Sequence, residues 1–225
     1  MPRTARSLPG DVCFHVMSRG NGGARVFHAQ QDYEEFTKLI RLASDRLPMR
    51  VYAWCLMPNH FHFAVRPYGN GDLSRWMHWL LTSHVQRHRK RHGTTGRIWQ
   101  GRFKAPPVQE DHHLLTVMRY IERNPVAAGL VGCAEDWPWS SGKFRCDRPD
   151  GITTASPIDL HPDWMERVNV PQSAKELKAL RTSIERGRPF GDAVWTRGTA
   201  ARLGLANSLR PRGRPPISRG AEEVD

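Results

Sequence analysis

The sequence predicts an α+β fold in which one antiparallel sheet carries helices packed on a face. Segments of alternating apolar residues are interleaved with segments of helical periodicity, in the order strand, helix, strand, strand, helix, strand, helix. Two of the strands are separated only by a short turn, which indicates an antiparallel hairpin. Among arrangements with this order of elements, a ferredoxin-like sandwich fits best.

The first strand and the first helix follow from periodicity. Residues 12–17 alternate between apolar and other residues, which predicts a strand with one buried face. The glycine-rich segment of residues 18–23 then ends the strand. A helix is predicted between Asp32, an N-cap residue type, and Pro48. Its apolar residues at helical spacing are Tyr33, Phe36, Ile40, Ala43 and Leu47.

A hairpin and a second helix come next. Residues 50–56 and 60–65 both alternate, and Met57-Pro58-Asn59 between them supplies turn residues. Asp72 can cap the second helix, which ends in a basic cluster at residues 87–91. The apolar stripe of this helix contains Leu73, Trp76, Met77, Leu80, Leu81 and Val85.

One more strand and one more helix complete the predicted fold. Residues 97–104 are compatible with a strand, which Pro106-Pro107 interrupts. Asp111 begins a third helix that is expected to end at about Asn124, because Pro125 disfavours helical geometry at the residue before it.

The pattern loosens beyond Trp139. Helical spacing returns weakly at residues 174–184, and the last part of the chain is basic and rich in glycine and proline. We therefore expect a catalytic domain over residues 1–146. A C-terminal extension over residues 147–225 is expected to be partly helical and to end in a basic tail.

The composition indicates a polyanionic partner. The chain of 225 residues has 34 Lys and Arg against 22 Asp and Glu, a formal charge of +12. Most of the basic residues are arginine, which binds phosphate through two hydrogen bonds, although anionic membranes attract the same charge. The four cysteines form no Cys-x-x-Cys pair, and no apolar run is long enough to span a bilayer. We expect a cytoplasmic, nucleoid-associated protein with reduced thiols and no membrane partner.

The His60-x-His62 pair is a candidate metal site. In a strand, positions two apart project from the same face, so the two imidazoles point together while Phe61 and Phe63 point into the core. Two such side chains can share one cation. Histidine pairs of this kind are also common as ordinary packed residues, so the pair alone is a weak signal.

The third helix adds a candidate nucleophile. Its apolar stripe contains Leu114, Met118 and Ile121, and Tyr120 lies roughly 120° away from that stripe. Asn124 comes four residues later and therefore lies on the same face as Tyr120. An amphipathic helix with a polar surface would give the same pattern without any chemistry.

Two longer motifs contain these residues. Met57-Pro58-Asn59-His60-Phe61-His62 and Arg119-Tyr120-Ile121-Glu122-Arg123-Asn124-Pro125 resemble the signatures of the single-tyrosine transposases, which are HUH endonucleases. The chain is most similar to the REP-associated tyrosine transposases. Motifs that resemble that branch are Ser18-Arg19-Gly20-Asn21, Trp99-Gln100-Gly101-Arg102-Phe103-Lys104 and Trp137-Pro138-Trp139-Ser140-Ser141. The resemblance covers roughly residues 10–145.

The resemblance implies a complete active site. It implies that His60, His62 and Asn124 bind Mg²⁺ or Mn²⁺ and that the Tyr120 hydroxyl attacks a phosphodiester. The attack would leave a 5′-phosphotyrosine link and a free 3′-hydroxyl, so that rejoining needs no ATP. The implied substrate is single-stranded DNA with palindromic repeats that fold into hairpins, and a monomer is favoured over a dimer.

Several arginines are candidate DNA contacts. Arg19, Arg102 and Arg123 lie in or beside the motifs, although each could equally be a solvated surface charge. In the tail, Pro211-Arg212-Gly213-Arg214-Pro215 is similar to an AT-hook, a segment that inserts arginine into a narrow minor groove. We include Arg210, Arg212 and Arg214 as tail contacts to duplex DNA, although the same composition is also typical of a disordered tail that its charge keeps soluble.

Two other functions remain open at this point. The chain could be a DNA-binding or regulatory protein whose catalytic centre is no longer active. The basic tail would then carry the binding or regulatory function. It could also hold a structural zinc ion on His60, His62 and a thiol such as Cys55, but the fourth ligand has no motif spacing.

Overall fold

The chain folds around one sheet of four antiparallel strands. The computed structural model describes residues 8–145 and 149–210. The sheet order is β2-β3-β1-β4. The strands are β1 (Cys13–Arg19), β2 (Met49–Met57), β3 (His60–Pro67) and β4 (Pro107–Val108). The helices are α1 (Gln30–Arg46), α2 (Asp72–His92), α3 (His112–Ala127), α4 (Trp164–Asn169), α5 (Ala174–Arg186) and α6 (Ala193–Arg202). The predicted α+β class, with its ferredoxin-like order of elements, is confirmed.

The predicted hairpin is formed by β2 and β3. Met57 pairs with His60 across a turn made by Pro58 and Asn59, and the antiparallel pairing continues to Met49 and Pro67 with one register shift between Val51 and Ala53. β1 lies on the other side of β3, with Arg19 opposite His60 and Met17 opposite His62. The histidine pair therefore lies at the turn end of a central strand, where neighbouring strands fix its backbone.

Helices cover both faces of the sheet, and most residues on both faces of β1, β2 and β3 are buried. α1 and α2 pack on the face formed by side chains such as Val16, Trp54 and Phe63. The opposite face carries Ala53, Cys55 and Ala64, and α3 packs there. This arrangement separates two buried clusters, and His60 and His62 project toward the α3 side.

The last strand differs from the prediction. Residues 97–104 form single bridges at Trp99 and Lys104 instead of a strand, and β4 comes later and includes Pro107. Proline is tolerated there because β4 is the edge of the four-stranded sheet, where an amide donor is not needed. The segment still follows β1, since Lys104 exchanges both backbone hydrogen bonds with Met17.

The helix ends also differ in detail. α1 begins two residues before Asp32, which accepts the backbone N–H groups of His28 and Ala29 instead of standing outside the helix. Asp111 does cap α3 and accepts the His113 N–H. α3 continues past Asn124 to Ala127, because Pro125 lies in the last turn and removes only one internal hydrogen bond.

Part of the C-terminal segment packs against the sheet and α3. Trp164 and Val168 of α4 and Leu180 of α5 are buried in the cluster below α3. The Phe190 N–H donates to the Pro107 carbonyl oxygen, and the Phe190 carbonyl oxygen accepts the Gln109 N–H. The segment around Phe190 therefore lies beside β4. The domain boundary expected between residues 146 and 147 lies outside the described residues. No helix in the described ranges is long and apolar enough to cross a membrane.

Glu122 is the centre of a buried polar network that ties these parts together. Its side chain has no solvent exposure. Its carboxylate accepts hydrogen bonds from Ser141, Arg145 and Trp164. These partners come from the segment after α3 and from α4, so the network fixes the inner face of α3.

Candidate functional site

The two motif histidines lie side by side on β3. The His60 and His62 ring centroids are 5.0 Å apart, and the rings are perpendicular. Two imidazoles that share one ion have centroids about 4.5–5 Å apart, given a metal–nitrogen distance of about 2 Å. His62 is buried, whereas His60 is half-buried and opens to a cleft. The spacing therefore fits a shared cation.

Tyr120 faces these histidines from α3. Its ring centroid is 5.6 Å from that of His62. Leu114, Met118 and Ile121 on the same helix are fully buried, but Tyr120 is half-buried and lines the same cleft as the two histidines. The phenol thus lies on the cleft side of the helix and outside its apolar stripe.

Asn124 lies between the tyrosine and His60. Its Nδ2 donates a hydrogen bond to the Tyr120 carbonyl oxygen at 3.0 Å. Interaction with the Asn124 side chain acts to raise the pKa of His60 and to lower that of Tyr120, although burial outweighs both effects. His60 Nδ1 also lies 2.7 Å from the Asn59 side-chain oxygen. The structure therefore brings together His60, His62, Tyr120 and Asn124, as the sequence predicts; their roles remain predictions.

His15 is a member of this site that sequence reasoning missed. Its Nε2 lies 2.9 Å from His62 Nδ1, and its ring centroid is 5.8 Å from that of Tyr120. The residue is buried on β1. The alternating pattern of β1 indicates the face of the strand on which His15 lies. The pattern does not predict the contact with His62, because that contact depends on the β1–β3 register.

Burial determines the charge of the three imidazoles. Desolvation lowers the pKa of His15 to about 3 and that of His60 to about 4, with Arg19 also lowering the latter. The pKa of His62 is lowered for the same reason, well below its ordinary value. All three side chains are therefore neutral at pH 7, which is the form that binds metal ions.

Tyr120 is not activated by its protein surroundings alone. Burial raises the pKa of its hydroxyl above the ordinary value. Arg181 and the Asn124 hydrogen bond act in the opposite direction but do not overcome the burial effect. Ionisation of this phenol at neutral pH would therefore require additional positive charge near its oxygen.

The cleft around these groups is basic. Its volume is about 360 Å³. The charged and amide side chains that line it, besides the histidines, are Arg19, Gln100, Arg102, Lys104, Arg181 and Glu185. Arg181 and Glu185 come from α5, so the C-terminal extension supplies one wall. No sequence motif marked Arg181, and only the packing of α5 reveals it.

The predicted DNA-contacting arginines lie in different places. Arg19 and Arg102 line the cleft. The Arg123 Nε donates to the Asn169 carbonyl at 3.5 Å, toward α4. Arg210 is exposed at the end of the described chain, and Arg212 and Arg214 lie outside the described residues.

Two other sets of side chains contain residue types that bind metal ions. His60, His62 and Cys55 do not form a group in which all ligand atoms lie within 4.8 Å of one another, and Cys55 hydrogen-bonds Ser140. A group that meets this limit within the described residues is Asp111, His112 and His113 at the start of α3. The described part of the chain thus carries a histidine-rich group at the start of α3 that could hold a metal ion, and the group does not identify the metal.

Comparison with known proteins gives the family. Residues 11–124, just over half of the chain, match the family described as "Transposase IS200 like". A Haemophilus influenzae protein described as a REP-associated tyrosine transposase is 28% identical over 122 residues, which cover 49% of this chain and 69% of that protein. The solved structure of a REP-associated tyrosine transposase bound to a REP hairpin matches with a TM-score of 0.52 and 22% identity. That match covers 72% of this chain and 99% of the other and agrees with the fold. The chain belongs to the IS200-like transposase family.

Proposed function

We propose that this chain is a metal-dependent, site-specific endonuclease and strand transferase for single-stranded DNA that works through a 5′-phosphotyrosine intermediate. One observation carries the proposal: Tyr120 faces the adjacent imidazoles of His60 and His62 in one basic cleft. A phenol, neutral nitrogen donors and phosphate-binding cations are the groups that such a transesterification needs.

His60, His62 and Asn124 are the residues that would hold Mg²⁺ or Mn²⁺. The ring spacing of the two histidines suits a shared ion, and the Asn124 amide offers a neutral oxygen ligand. Bound there, the ion would act as a Lewis acid toward a phosphate oxygen. Because the set contains no carboxylate, we expect weak metal binding in the absence of DNA.

The chemical step belongs to Tyr120. Its oxygen attacks phosphorus in line, a bond between tyrosine and phosphorus forms, and the bond from phosphorus to the 3′ oxygen breaks. The phenol loses its proton, and the departing oxygen gains one and becomes a 3′-hydroxyl. Attack by another 3′-hydroxyl reverses these changes and releases the tyrosine, so the chain needs no nucleotide cofactor for joining.

The basic residues of the cleft hold the DNA. Arg19 and Arg102 bind backbone phosphates near the scissile bond, and Arg181 stabilises negative charge on the Tyr120 oxygen. A single strand enters such a site more readily than a stiff duplex does.

The substrate is single-stranded DNA next to a palindromic hairpin, on which the enzyme acts as a monomer. The relatives whose names refer to REP sequences, one of them bound to a REP hairpin, support this assignment. Residues 1–146 supply Tyr120 and the candidate metal ligands, and residues 147–225 form the extension that contacts DNA and contributes Arg181 to the cleft. Arg123 of α3 and Arg210, Arg212 and Arg214 of the tail contribute phosphate or minor-groove contacts to the hairpin.

A covalent-adduct assay tests the proposal. A labelled hairpin oligonucleotide from the sequence flanking the gene, incubated with Mn²⁺, should become attached to the wild-type protein and not to Tyr120→Phe. Tyr68→Phe is the matched control, because Tyr68 is 55% exposed and far from the cleft lining, and it should retain the adduct. An adduct that survives in Tyr120→Phe would refute the assignment. Metal-independent binding with no cleavage under any divalent ion would favour a regulatory protein.

His15 is expected to position a metal ligand. When the Nδ1–H of His62 donates to His15 Nε2, the lone pair of His62 remains on its other nitrogen and is available to a metal. We expect His15→Phe to weaken Mn²⁺ binding about 10-fold to 100-fold, as the loss of such supporting hydrogen bonds does elsewhere. Calorimetric Mn²⁺ titration of the DNA-free protein measures this, with His78→Phe on α2 as the control. Equal Mn²⁺ affinity of wild type and His15→Phe would contradict the role.

A further inference from the structure

One wall of the cleft is formed by the segment of residues 98–102, which runs beside the end of β1. Gly20, the residue after β1, pairs with Trp99 in an antiparallel bridge. The Gln100 N–H donates to the Arg19 carbonyl oxygen at 2.8 Å. The segment therefore extends the sheet next to β1, at the level of the candidate metal ligands.

Trp99 anchors this segment in the core. The residue is buried, and its ring centroid lies 5.1 Å from that of Phe61 and 5.3 Å from that of His84. Successive residues of an extended chain point to opposite faces. Because Trp99 points to the side of α1 and α2, Gln100 points to the other side, where it lines the cleft. The backbone hydrogen bond and the buried ring together fix the position of Gln100.

Gln100 lies in the same row of side chains as His60. Arg19 of β1 is opposite His60, and on its other side it is next to Gln100. Residues that are opposite each other in neighbouring strands project from the same face of a sheet. Neighbouring strands are about 4.8 Å apart, so the Gln100 backbone lies about 10 Å from that of His60. At this separation the Gln100 side chain reaches a nucleotide beside the scissile phosphate, and not the phosphate itself.

The Gln100 amide is available to a ligand. The residue is exposed, and its side chain has no hydrogen-bond or ring partner among the described residues. The neighbouring side chains of Arg19, Arg102 and Lys104 are cations, and contacts between cations and phosphates carry no sequence information. An amide presents an acceptor oxygen and donor N–H groups in one plane. It therefore gains two hydrogen bonds from the edge of a base, whereas a phosphate can only accept.

We propose that Gln100 is a specificity-determining residue that reads an adenine in one of the two nucleotides flanking the scissile phosphate. Adenine presents its N6 amino donor next to the N7 acceptor, and an amide side chain forms two hydrogen bonds with this pair of groups. The inference rests on the proposed function, because a single strand in the cleft leaves its base edges free for such contacts. Gln100 selects the position of cleavage, and Tyr120 carries out the chemistry.

Sequencing of cleavage products tests this role. A hairpin oligonucleotide with a randomised single-stranded arm is incubated with the full-length protein and Mn²⁺. The protein-linked strand gives the base on the 3′ side of the break, and the released strand gives the base on the 5′ side. We expect adenine at one of these two positions to be preferred by about 10-fold, the discrimination that one pair of base-specific hydrogen bonds provides. Gln100→Met keeps the length of the side chain but removes the amide, so it should abolish the preference.

A binding measurement separates this inference from the proposed chemistry. Tyr120→Phe is equilibrated with the same randomised oligonucleotide, and the DNA retained with the protein on a filter is sequenced. We expect adenine to be enriched at a fixed distance from the hairpin stem, and the enrichment to be lost in Tyr120→Phe/Gln100→Met. If the wild-type protein forms no adduct with any divalent ion while this Gln100-dependent enrichment persists, the proposed chemistry fails and the assignment of Gln100 stands.

Gln86→Met is the matched control, because Gln86 is exposed on α2 and does not line the cleft. This variant should keep the wild-type base preference. The proposal is overturned if the wild-type protein shows no preference for adenine at either position, or if Gln100→Met keeps the preference. An equal loss of cleavage rate for all four bases in Gln100→Met would assign a structural role to the residue and would also overturn the proposal. Gln100→Ala provides a second variant that must give the same result, and circular dichroism verifies that each variant is folded.

Discussion

Replacing His60 with alanine is expected to reduce metal-dependent DNA cleavage by about 10³-fold or more. The variant loses one of two imidazoles whose centroids are 5.0 Å apart and that face Tyr120. Loss of Lewis-acid stabilisation costs several kcal/mol, and about 4 kcal/mol corresponds to 10³-fold in rate. Single-turnover cleavage of a hairpin oligonucleotide with saturating Mn²⁺ measures the effect.

His112→Ala is the matched control for this experiment. His112 belongs to the other metal-binding group, at the start of α3, where its side chain is 76% exposed. We expect this variant to cleave at the wild-type rate. If His112→Ala loses metal-dependent cleavage while His60→Ala retains it, the metal acts at the start of α3 and the proposed centre is wrong.

Glu122→Ala is expected to destabilise the fold by about 3–5 kcal/mol, because it leaves a buried guanidinium without its carboxylate. Arg145, which is bound to Glu122, is only 12% exposed, and Ser141 and Trp164 also lose their acceptor. Urea unfolding followed by fluorescence gives the free energy of unfolding.

Two further variants show whether loss of the carboxylate network causes the loss of stability in Glu122→Ala. Glu122→Gln keeps the side-chain shape and some hydrogen bonds, so its unfolding free energy should fall by less than that of Glu122→Ala. Glu166→Ala on α4 removes an exposed carboxylate and should change stability by less than about 0.5 kcal/mol. Similar unfolding free energies for Glu122→Ala and Glu166→Ala would contradict the assigned role of the network.

The local geometry of the candidate site could be predicted from sequence because it depends on short-range periodicity. The spacing of two in His60-x-His62 places both imidazoles on one strand face. The spacing of four between Tyr120 and Asn124 places both on one helix face. That these faces meet follows from the packing of α3 on the sheet, which the motif order of the family implies.

Contacts that depend on long-range packing could not be predicted in this way. His15 reaches His62 only because β1 pairs with β3 in one particular register. Arg181 reaches the cleft only because α5 packs against α3, and the spacing in that segment was too weak to predict its position. The edge strand was misplaced because Pro107 argued against it, yet the edge of a sheet tolerates a missing amide donor.

Mapping the DNA-linked peptide tests the central claim most directly. Trypsin cleaves after Arg119 and Arg123, so an adduct on Tyr120 yields residues 120–123, Tyr-Ile-Glu-Arg, joined to the 5′ phosphate of the cleaved strand. The proposed mechanism predicts that mass spectrometry of the digested wild-type adduct finds the nucleotide on this peptide. A nucleotide on a peptide containing Tyr33, Tyr52 or Tyr68, or cleavage that leaves no protein-linked DNA, would contradict it.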